Sequence, residues 1–453
     1  MSKVEFTRIK NFINGEWVEE KDVEYVPLYN PSTGEEIGEV PLSSEATSLA
    51  AVDSSYAAYE SWRKQSLSKR MRFLFAMRQA MVDKEEELAV SIAVDQAKHI
   101  SEARGEVRRV VEIFAFIYKP STQSPLFMQK MGTIFQEIGL PPGVVNIVHG
   151  NRSIPETWYE NKKMSGVCLV GSTNTAKKMA EACGRGGKRS MLLGGAKNFL
   201  VAMEDLNWDV FIENFLHSCY GSAGQRCLAG SVVAVVPEIY DELIERVMEA
   251  SKNVTVGDAM DPDIYMGPVI SAKAKANIEN YIEIGIEQGS RLLLDGRNPE
   301  LPEANKNGYF VGPTIFADVT PCRRIAQEEI FGPVVSIMKV RDLDDALQLI
   351  RNQDFGNGAC IFTQNQYYTE KFIAEANVGM VGVNVGICAP HPYLPFGGIK
   401  DSHLGTDKVQ GKDGIDFFTQ NKVATVRFTP PEGVTEDGAK KDGDNSVRSC
   451  VAS

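Results

Sequence analysis

Basic residues are in deficit: 48 Lys and Arg stand against 60 Asp and Glu, a formal charge of −12. That balance argues against nucleic acid or an anionic membrane as the main partner, and any anionic cofactor must be held by local groups. Histidine is scarce. The five residues, at 99, 149, 217, 391 and 403, form no HxxxH or Cys/His ligand spacing, so no metal site is expected. Eight cysteines, at 168, 183, 219, 227, 322, 360, 388 and 450, include no CxxC pair and are too sparse for a disulfide framework. Reduced thiols in a reducing compartment follow. Nowhere do eighteen apolar residues run together, and Met1-Ser2-Lys3-Val4-Glu5-Phe6 has neither the apolar stretch of a signal peptide nor an Arg-rich, acid-poor character. A soluble cytoplasmic protein with no membrane partner is the expectation. The chain also lacks the GxSxG elbow of a serine hydrolase and the GxGxxG dinucleotide fingerprint.

What is present is an ordinary globular composition, 43% hydrophobic over 453 residues, enough for two or three domains. Asn30-Pro31-Ser32-Thr33-Gly34 is turn chemistry, after which Ser43 and Ser44 can cap a helix with Leu49, Val52, Tyr56 and Trp62 on its apolar face. In a second helical stretch Leu74, Met77, Met81, Leu88 and Ile92 recur at helical spacing, which assigns the methionines to the core. From Gly166 onward short apolar runs (166–170, 199–203, 231–236 and 334–340) alternate with helical stretches such as Ile239 to Ala250. Such alternation predicts an α/β fold with largely parallel sheets. Residues 429–453 turn to Pro, Gly, Asp, Lys and Ser and read as a flexible tail.

Candidate chemistry centres on Gly221-Ser222-Ala223-Gly224-Gln225-Arg226-Cys227-Leu228-Ala229. A thiol among small residues, beside a fixed positive charge, ionises more easily than a free one and stays approachable, so Cys227 is the candidate nucleophile. Cys219 and Cys360 sit in apolar settings with no basic neighbour and go to the core. Val170-Gly171-Ser172-Thr173 ends a strand and opens a helix from Asn174 to Cys183. Its backbone N–H groups and the Ser172 hydroxyl can meet a pyrophosphate, or Ser172 can be a plain N-cap. Gly184-Arg185-Gly186-Gly187-Lys188 has the look of a phosphate cradle but is read as the cap at the end of that helix.

Taken with Lys119-Pro120-Ser121, Gly195-Ala196-Lys197-Asn198, Glu328-Glu329-Ile330-Phe331-Gly332-Pro333-Val334 and Pro395-Phe396-Gly397-Gly398-Ile399-Lys400, these windows resemble the NAD-dependent aldehyde dehydrogenase superfamily in the family's own order, from about Phe12 to about Phe428. Gly224-Gln225-Arg226-Cys227, Gly187-Lys188-Arg189, Val256-Gly257-Asp258, Met266-Gly267-Pro268 and Gly414-Ile415-Asp416-Phe417-Phe418-Thr419-Gln420 are most similar to its CoA-acylating methylmalonate-semialdehyde dehydrogenases. The resemblance implies an aldehyde dehydrogenase fold: a Rossmann-like NAD-binding domain over 1–203, an α/β catalytic domain over 204–388, and a return over 389–428. An oligomerisation strand near Val423 to Phe428 would pair with a neighbouring subunit in a dimer or tetramer. Also implied are NAD as cofactor, CoA as co-substrate, and conversion of (methyl)malonate semialdehyde to an acyl-CoA, CO₂ and NADH. By the same resemblance Cys227 is the nucleophile, Lys119 bonds the adenosine ribose, Ser172 and Gly194 contact the cofactor, and Glu329 holds the nicotinamide ribose with Phe331 beside it. Three readings stay open for Arg226: holding the substrate carboxylate, stabilising the thiolate, or a purely structural role.

Three departures qualify that resemblance. Where the family often has a Glu three residues after the ribose-binding lysine, this chain has Thr122, followed by Gln123, so the preference for NAD over NADP rests on the branch and not on a carboxylate. Leu193 occupies the position of the glutamate that activates water in hydrolytic members; without that base a thioester is left for a CoA thiol to resolve. Between Phe116 and Lys119 the family carries about fifty further residues, including an oligomerisation strand, the first strand of the nucleotide sheet and a Pro-x-Asn-x-Pro motif whose Asn serves the oxyanion. No Pro-x-Asn-x-Pro occurs in the chain. A rival reading is therefore a non-enzymatic homologue that binds cofactor or associates with subunits.

Overall fold

The computed structural model describes residues 6–110, 117–151, 153–405, 407–427 and 448–450. Its N-terminal part is a helical layer on small sheets. Ser44 accepts a hydrogen bond from the Thr47 N–H at 3.1 Å and starts the helix Glu45–Trp62. The face this helix buries is narrower than expected: Ser48, Ala51 and Val52 are buried while Tyr56 is 47% exposed. Small residues allow close approach there, and the Trp158 indole N–H donates to Ser48 Oγ at 3.0 Å. The second helical stretch is two helices, Leu67–Asp83 and Glu85–Gln96, separated at Lys84 (φ −108°, ψ 19°). Met77, Met81, Leu88 and Ile92 are core residues as the spacing predicts, whereas Leu74 is on the surface.

Most of the buried apolar surface belongs to a seven-stranded sheet in the order 291–294, 314–317, 334–339, 230–235, 198–202, 358–362, 380–383. All its pairings are parallel except the outermost, Arg291–Leu294 with Thr314–Ala317. Strands buried on both faces read as continuous apolar runs, as Gly230–Val235 and Val334–Lys339 do. Asn198–Ala202, buried along its whole length, is an inner strand of this sheet. Strand pairing thus joins Asn198–Ala202 to strands that lie after residue 203 in the chain.

The nucleotide side differs from a single Rossmann-like sheet. Ile117–Tyr118 runs parallel to Asn146–Ile147 in a four-stranded sheet completed by the N-terminal hairpin 11–13/16–18. Gly166–Val170 runs parallel to Arg189–Leu193 in a separate three-stranded sheet whose third member is His403–Gly405. Both Ile117–Tyr118 and Gly166–Val170 are edge strands, and Val170 is 68% exposed. Among the described residues each of these two strands is paired on one side only.

Near the C-terminus, Ala424–Val426 forms a strand at the expected place, exposed throughout and paired antiparallel with Arg448–Cys450. The tail reading is corrected for those three residues: an exposed edge offers unpaired backbone groups, and a short segment satisfies them regardless of polarity. The rest of residues 429–453, and Phe116, lie outside the described residues. Among the described residues no helix is long and apolar enough to cross a membrane.

Candidate active site

The helix Trp208–Tyr220, capped by the Asn207 side chain on Val210 N–H, leads into the loop that carries Cys227. At Gly221–Gly224 the chain takes three consecutive left-handed conformations, Ser222 (φ 49°), Ala223 (φ 52°) and Gly224 (φ 70°). For the two non-glycines this costs about 1 kcal/mol or more each, so the surroundings must hold it. Gly224 is required by space as well, since a Cβ there would lie 2.3 Å from the Gly332 carbonyl oxygen. That contact presses the thiol loop against the Glu329–Pro333 loop. The Cys227 carbonyl is fixed from beneath by Asn198 Nδ2 at 3.0 Å and Asn357 Nδ2 at 2.7 Å. Asn198 Nδ2 also donates to the Ala229 carbonyl at 2.9 Å, so its amide is spent on the backbone.

Burial pushes the Cys227 thiol up, Lys98 draws it down, and the carboxylates of Glu106 and Glu329 push it up. Lys98, paired to Glu106 at 2.9 Å, is thus the cation whose charge reaches the thiol. Arg226 is committed elsewhere: Nη2 meets Glu102 Oε1 at 2.5 Å, Nη1 donates to the His217 carbonyl at 3.1 Å and Nε to Ser222 Oγ at 3.3 Å. Its guanidinium therefore ties the loop to the helix Ile100–Val110. The sequence left three roles open for Arg226, and the contacts described for it are structural. Cys219 is buried and pushed far up by desolvation, in keeping with a core thiol.

A cleft lined by Ala196, Asn198, Gly224, Arg226, Glu329 and Phe331 brings the two loops together. Glu329 Oε1 accepts from Ala196 N–H at 2.8 Å, and a Cβ on Gly195 would meet its other oxygen at 2.7 Å. Burial raises the affinity of Glu329 for its proton, against the Ala196 N–H and the Lys197 charge. Phe331 is left-handed (φ 57°) and 43% exposed at the mouth. Ser172 caps the helix Thr173–Arg185 through Thr175 N–H at 3.4 Å and is exposed with Asn174 and Thr175, so that helix start is open to an anion. Thr173 Oγ1 accepts from Gly195 N–H at 2.9 Å, and a Cβ on Gly194 would meet the same oxygen at 2.9 Å. Ser172, Gly194 and Glu329 are thereby linked through one turn. Gly187 (φ 60°) follows the end of this helix, where Lys188 N–H donates to the Cys183 carbonyl at 2.9 Å, and Lys188 Nζ bonds the Asn161 and Met164 carbonyls.

Lys119 follows the strand Ile117–Tyr118 of the other sheet. Its Nζ donates to the Pro120 carbonyl at 2.8 Å, burial lowers its proton affinity, and its charge helps burial push the neighbouring His149 down to about 3. Thr122 and Gln123 follow in a turn in which Gln123 N–H donates to Ser121 Oγ. No described hydrogen bond joins these three to Ser172, Gly194 or Glu329. Leu193 is buried in the strand Arg189–Leu193 and puts no carboxylate at that position.

Sequence reasoning missed Glu102, Lys98 and Asn357, and left Asn198 and Lys197 without a role. Asn198 carried a signal, a lone amide opening the apolar run Phe199 to Met203. Glu102 carried none, as one acid among 60. Lys197 is 3% exposed, its Nζ has no hydrogen-bond partner, and burial pushes it down to about 7 against the pull of Glu329 and Glu328.

The profile of the Aldehyde dehydrogenase family matches residues 17–118 and 115–424. Malonate-semialdehyde dehydrogenase of Bacillus pumilus is 34% identical over 94% of this chain and all of its own length, and that of Halalkalibacterium halodurans is 34% identical over 93% and 98%. Among solved structures, a protein assigned as a methylmalonate-semialdehyde dehydrogenase of Sinorhizobium meliloti, complexed with NAD, superposes with a TM-score of 0.89 at 31% identity, covering 93% of this chain and 97% of that one. Methylmalonate-semialdehyde dehydrogenase of Oceanimonas doudoroffii gives 0.89 at 30%, covering 91% and 97%. The Bacillus alignment spans 487 positions but uses about 426 of the 453 residues here (94%), so about sixty positions have no counterpart. The two family matches meet at 115–118, where the sequence departs from the family pattern.

Proposed function

Because the chain belongs to the aldehyde dehydrogenase family, whose members are enzymes of aldehyde oxidation, we propose that it catalyses NAD-dependent, CoA-acylating oxidation of malonate or methylmalonate semialdehyde through Cys227. The observation that carries this reading is the seam at Gly224 and Gly332, which sets the Cys227 loop against Glu329 with no carboxylate at residue 193. Cys227 as thiolate adds to the aldehyde carbon, and loss of hydride from that adduct leaves a thioester on the sulfur. NAD, when bound, supplies the hydride acceptor. Glu329 is suited to the ribose hydroxyls, Phe331 to the adjoining ring face, and Ser172 with the open helix start to the pyrophosphate. Gly194 and Gly195 fit the same purpose, since side chains there would fill the turn. Lys119, Thr122 and Gln123 are proposed for the adenosine end. Loss of the substrate carboxylate as CO₂, with a proton taken up at the carbon it leaves, and attack by an ionised CoA thiol, with the Cys227 thiolate as leaving group, then release acyl-CoA and regenerate Cys227. Leu193 leaves water without a base to compete.

The test is NADH formation from each semialdehyde with and without CoA, by the chain and by Leu193→Glu. Turnover should depend on CoA, and the glutamate should raise hydrolysis at the expense of thiol transfer. Full-rate NADH production without any thiol acceptor would refute the acylating reading.

A further inference from the structure

We propose that Glu102 is the positioning residue of the Cys227 loop, holding its left-handed turn and neutralising Arg226; this rests on the reading of Cys227 as nucleophile. The carboxylate sits in the first turn of the helix Ile100–Val110, 120 residues from the turn it binds. Its Oε2 accepts from Ser222 N–H at 2.9 Å and from Ser222 Oγ at 2.6 Å, while Oε1 takes Arg226 Nη2 at 2.5 Å. Both charged side chains are only 15–16% exposed. The loop is wrapped on the pair so closely that a Cβ on Gly221 would lie 2.7 Å from Arg226 Nη1 and 2.9 Å from Glu102 Oε1.

Two physical consequences follow. First, Ser222 and Ala223 are in a conformation that L-residues avoid, and the Ser222 N–H and hydroxyl donate to Glu102 while the hydroxyl also accepts from Arg226 Nε, so the Glu102–Arg226 clamp helps hold the strain. Second, an unneutralised guanidinium one residue from Cys227 would favour the thiolate. The charges that reach the thiol are Lys98 and Glu106 from the start and body of the same helical region and Glu329 from the facing loop; Arg226 is paired with Glu102, and His217 and Tyr265 face that pair. With Glu102 in place the Arg226 charge is cancelled at its source. The helix that supplies Glu102, described from Ile100 to Val110, precedes residues 115–118, where the two family matches meet, so the thiol loop is braced by the element leading toward that junction.

The experiment measures two properties in the intact chain: hydrogen–deuterium exchange of the peptide spanning Gly221–Cys227, and the pH dependence of Cys227 alkylation by iodoacetamide, mapped by mass spectrometry. Glu102→Gln, which keeps size and acceptor but not charge, should lower the alkylation midpoint by about one pH unit, and adding Arg226→Gln to it should return the midpoint to the original value. Glu102→Ala should speed exchange in that peptide at least tenfold, and Glu102→Asp should stay within threefold. An unmoved midpoint in Glu102→Gln, a midpoint that Arg226→Gln does not restore, or unchanged exchange in Glu102→Ala overturns the proposal. If the alanine variant does not fold, exchange in Glu102→Gln, expected to rise at least threefold, decides instead. Failure of the nucleophile reading looks different: another cysteine of the unaltered chain would be alkylated before Cys227, while the comparison among variants would still report on Glu102.

Discussion

Replacing Lys197 by methionine should stabilise the protein below pH 7 and flatten part of its stability profile at alkaline pH. The ammonium group is fully enclosed without a hydrogen-bond partner, and burial brings its pKa from 10.5 down to about 7. At about 1.4 kcal/mol per pH unit, this amounts to roughly 5 kcal/mol of cost for the protonated form. The sign follows from proton counting. Between pH 7 and 10.5 the unfolded chain holds this proton and the folded chain does not, so stability rises with pH across that window, and the penalty is complete below 7 and absent above 10.5. Methionine has similar length and no charge, so Lys197→Met removes the penalty. Glu329 loses a cation that favours its ionised form, which offsets part of the gain and leaves about 2–5 kcal/mol at pH 6. With an unfolding entropy of about 2 cal/mol/K per residue, a chain of 453 residues melting as one unit would gain roughly 2–5 °C. Differential scanning fluorimetry of both proteins from pH 6 to 10.5 gives the comparison directly. A difference that is positive at pH 6 and closes toward pH 10.5 is expected. A variant that is no more stable at pH 6, or a difference independent of pH, would refute the account of Lys197 as a buried, penalised charge.

Two further outcomes test the site. Gly224→Ala, which would bring a Cβ within 2.3 Å of the Gly332 carbonyl and strain a φ of 70°, should cost about 2 kcal/mol or more and separate the two loops; a lowered melting temperature with slower labelling of Cys227 checks it. Restoring the relatives' additional residues ahead of Ile117 should tighten NAD binding and raise CoA-dependent turnover by about 10²–10³, the range associated with one oxyanion donor. Equal turnover with and without the insertion would show that the donor is supplied elsewhere.

The parts of the fold set by periodicity were legible. Runs such as 231–236 and 334–340 are apolar because both faces of a parallel sheet are covered, and Met77, Met81 and Ile92 follow one helix face. The division of the nucleotide side into two sheets was not legible, because each strand keeps the sequence it would have beside its usual neighbour, and what has changed is the absence of that neighbour. In the site, Cys227 and Glu329 were marked by glycines and an aromatic that exist to let loops touch. The direction of Arg226 was not, since a long side chain reaches several partners from one backbone position. Glu102 comes from a helix 124 residues before Arg226, and nothing local records such a meeting. Lys197 was quoted as part of a motif, yet its burial and the nearness of Glu328 and Glu329, which lie far later in the chain, come from the fold.

The three-stranded sheet carries a consequence for synthesis on the ribosome. Leu193 pairs with His403, 210 residues further along, and the same return supplies Asp401 to Lys177 and to Thr173, and the Ser402 carbonyl to Gly194 N–H. The turn that links Ser172 with Glu329 therefore cannot be completed until nearly all of the chain has emerged. At about 5–20 residues per second that interval is roughly 10–40 s. Throughout it the strand Gly166–Val170 has an uncovered edge on one side and an unfinished sheet on the other. A chaperone that shields extended apolar segments would act on this molecule at that stage, before any cofactor could.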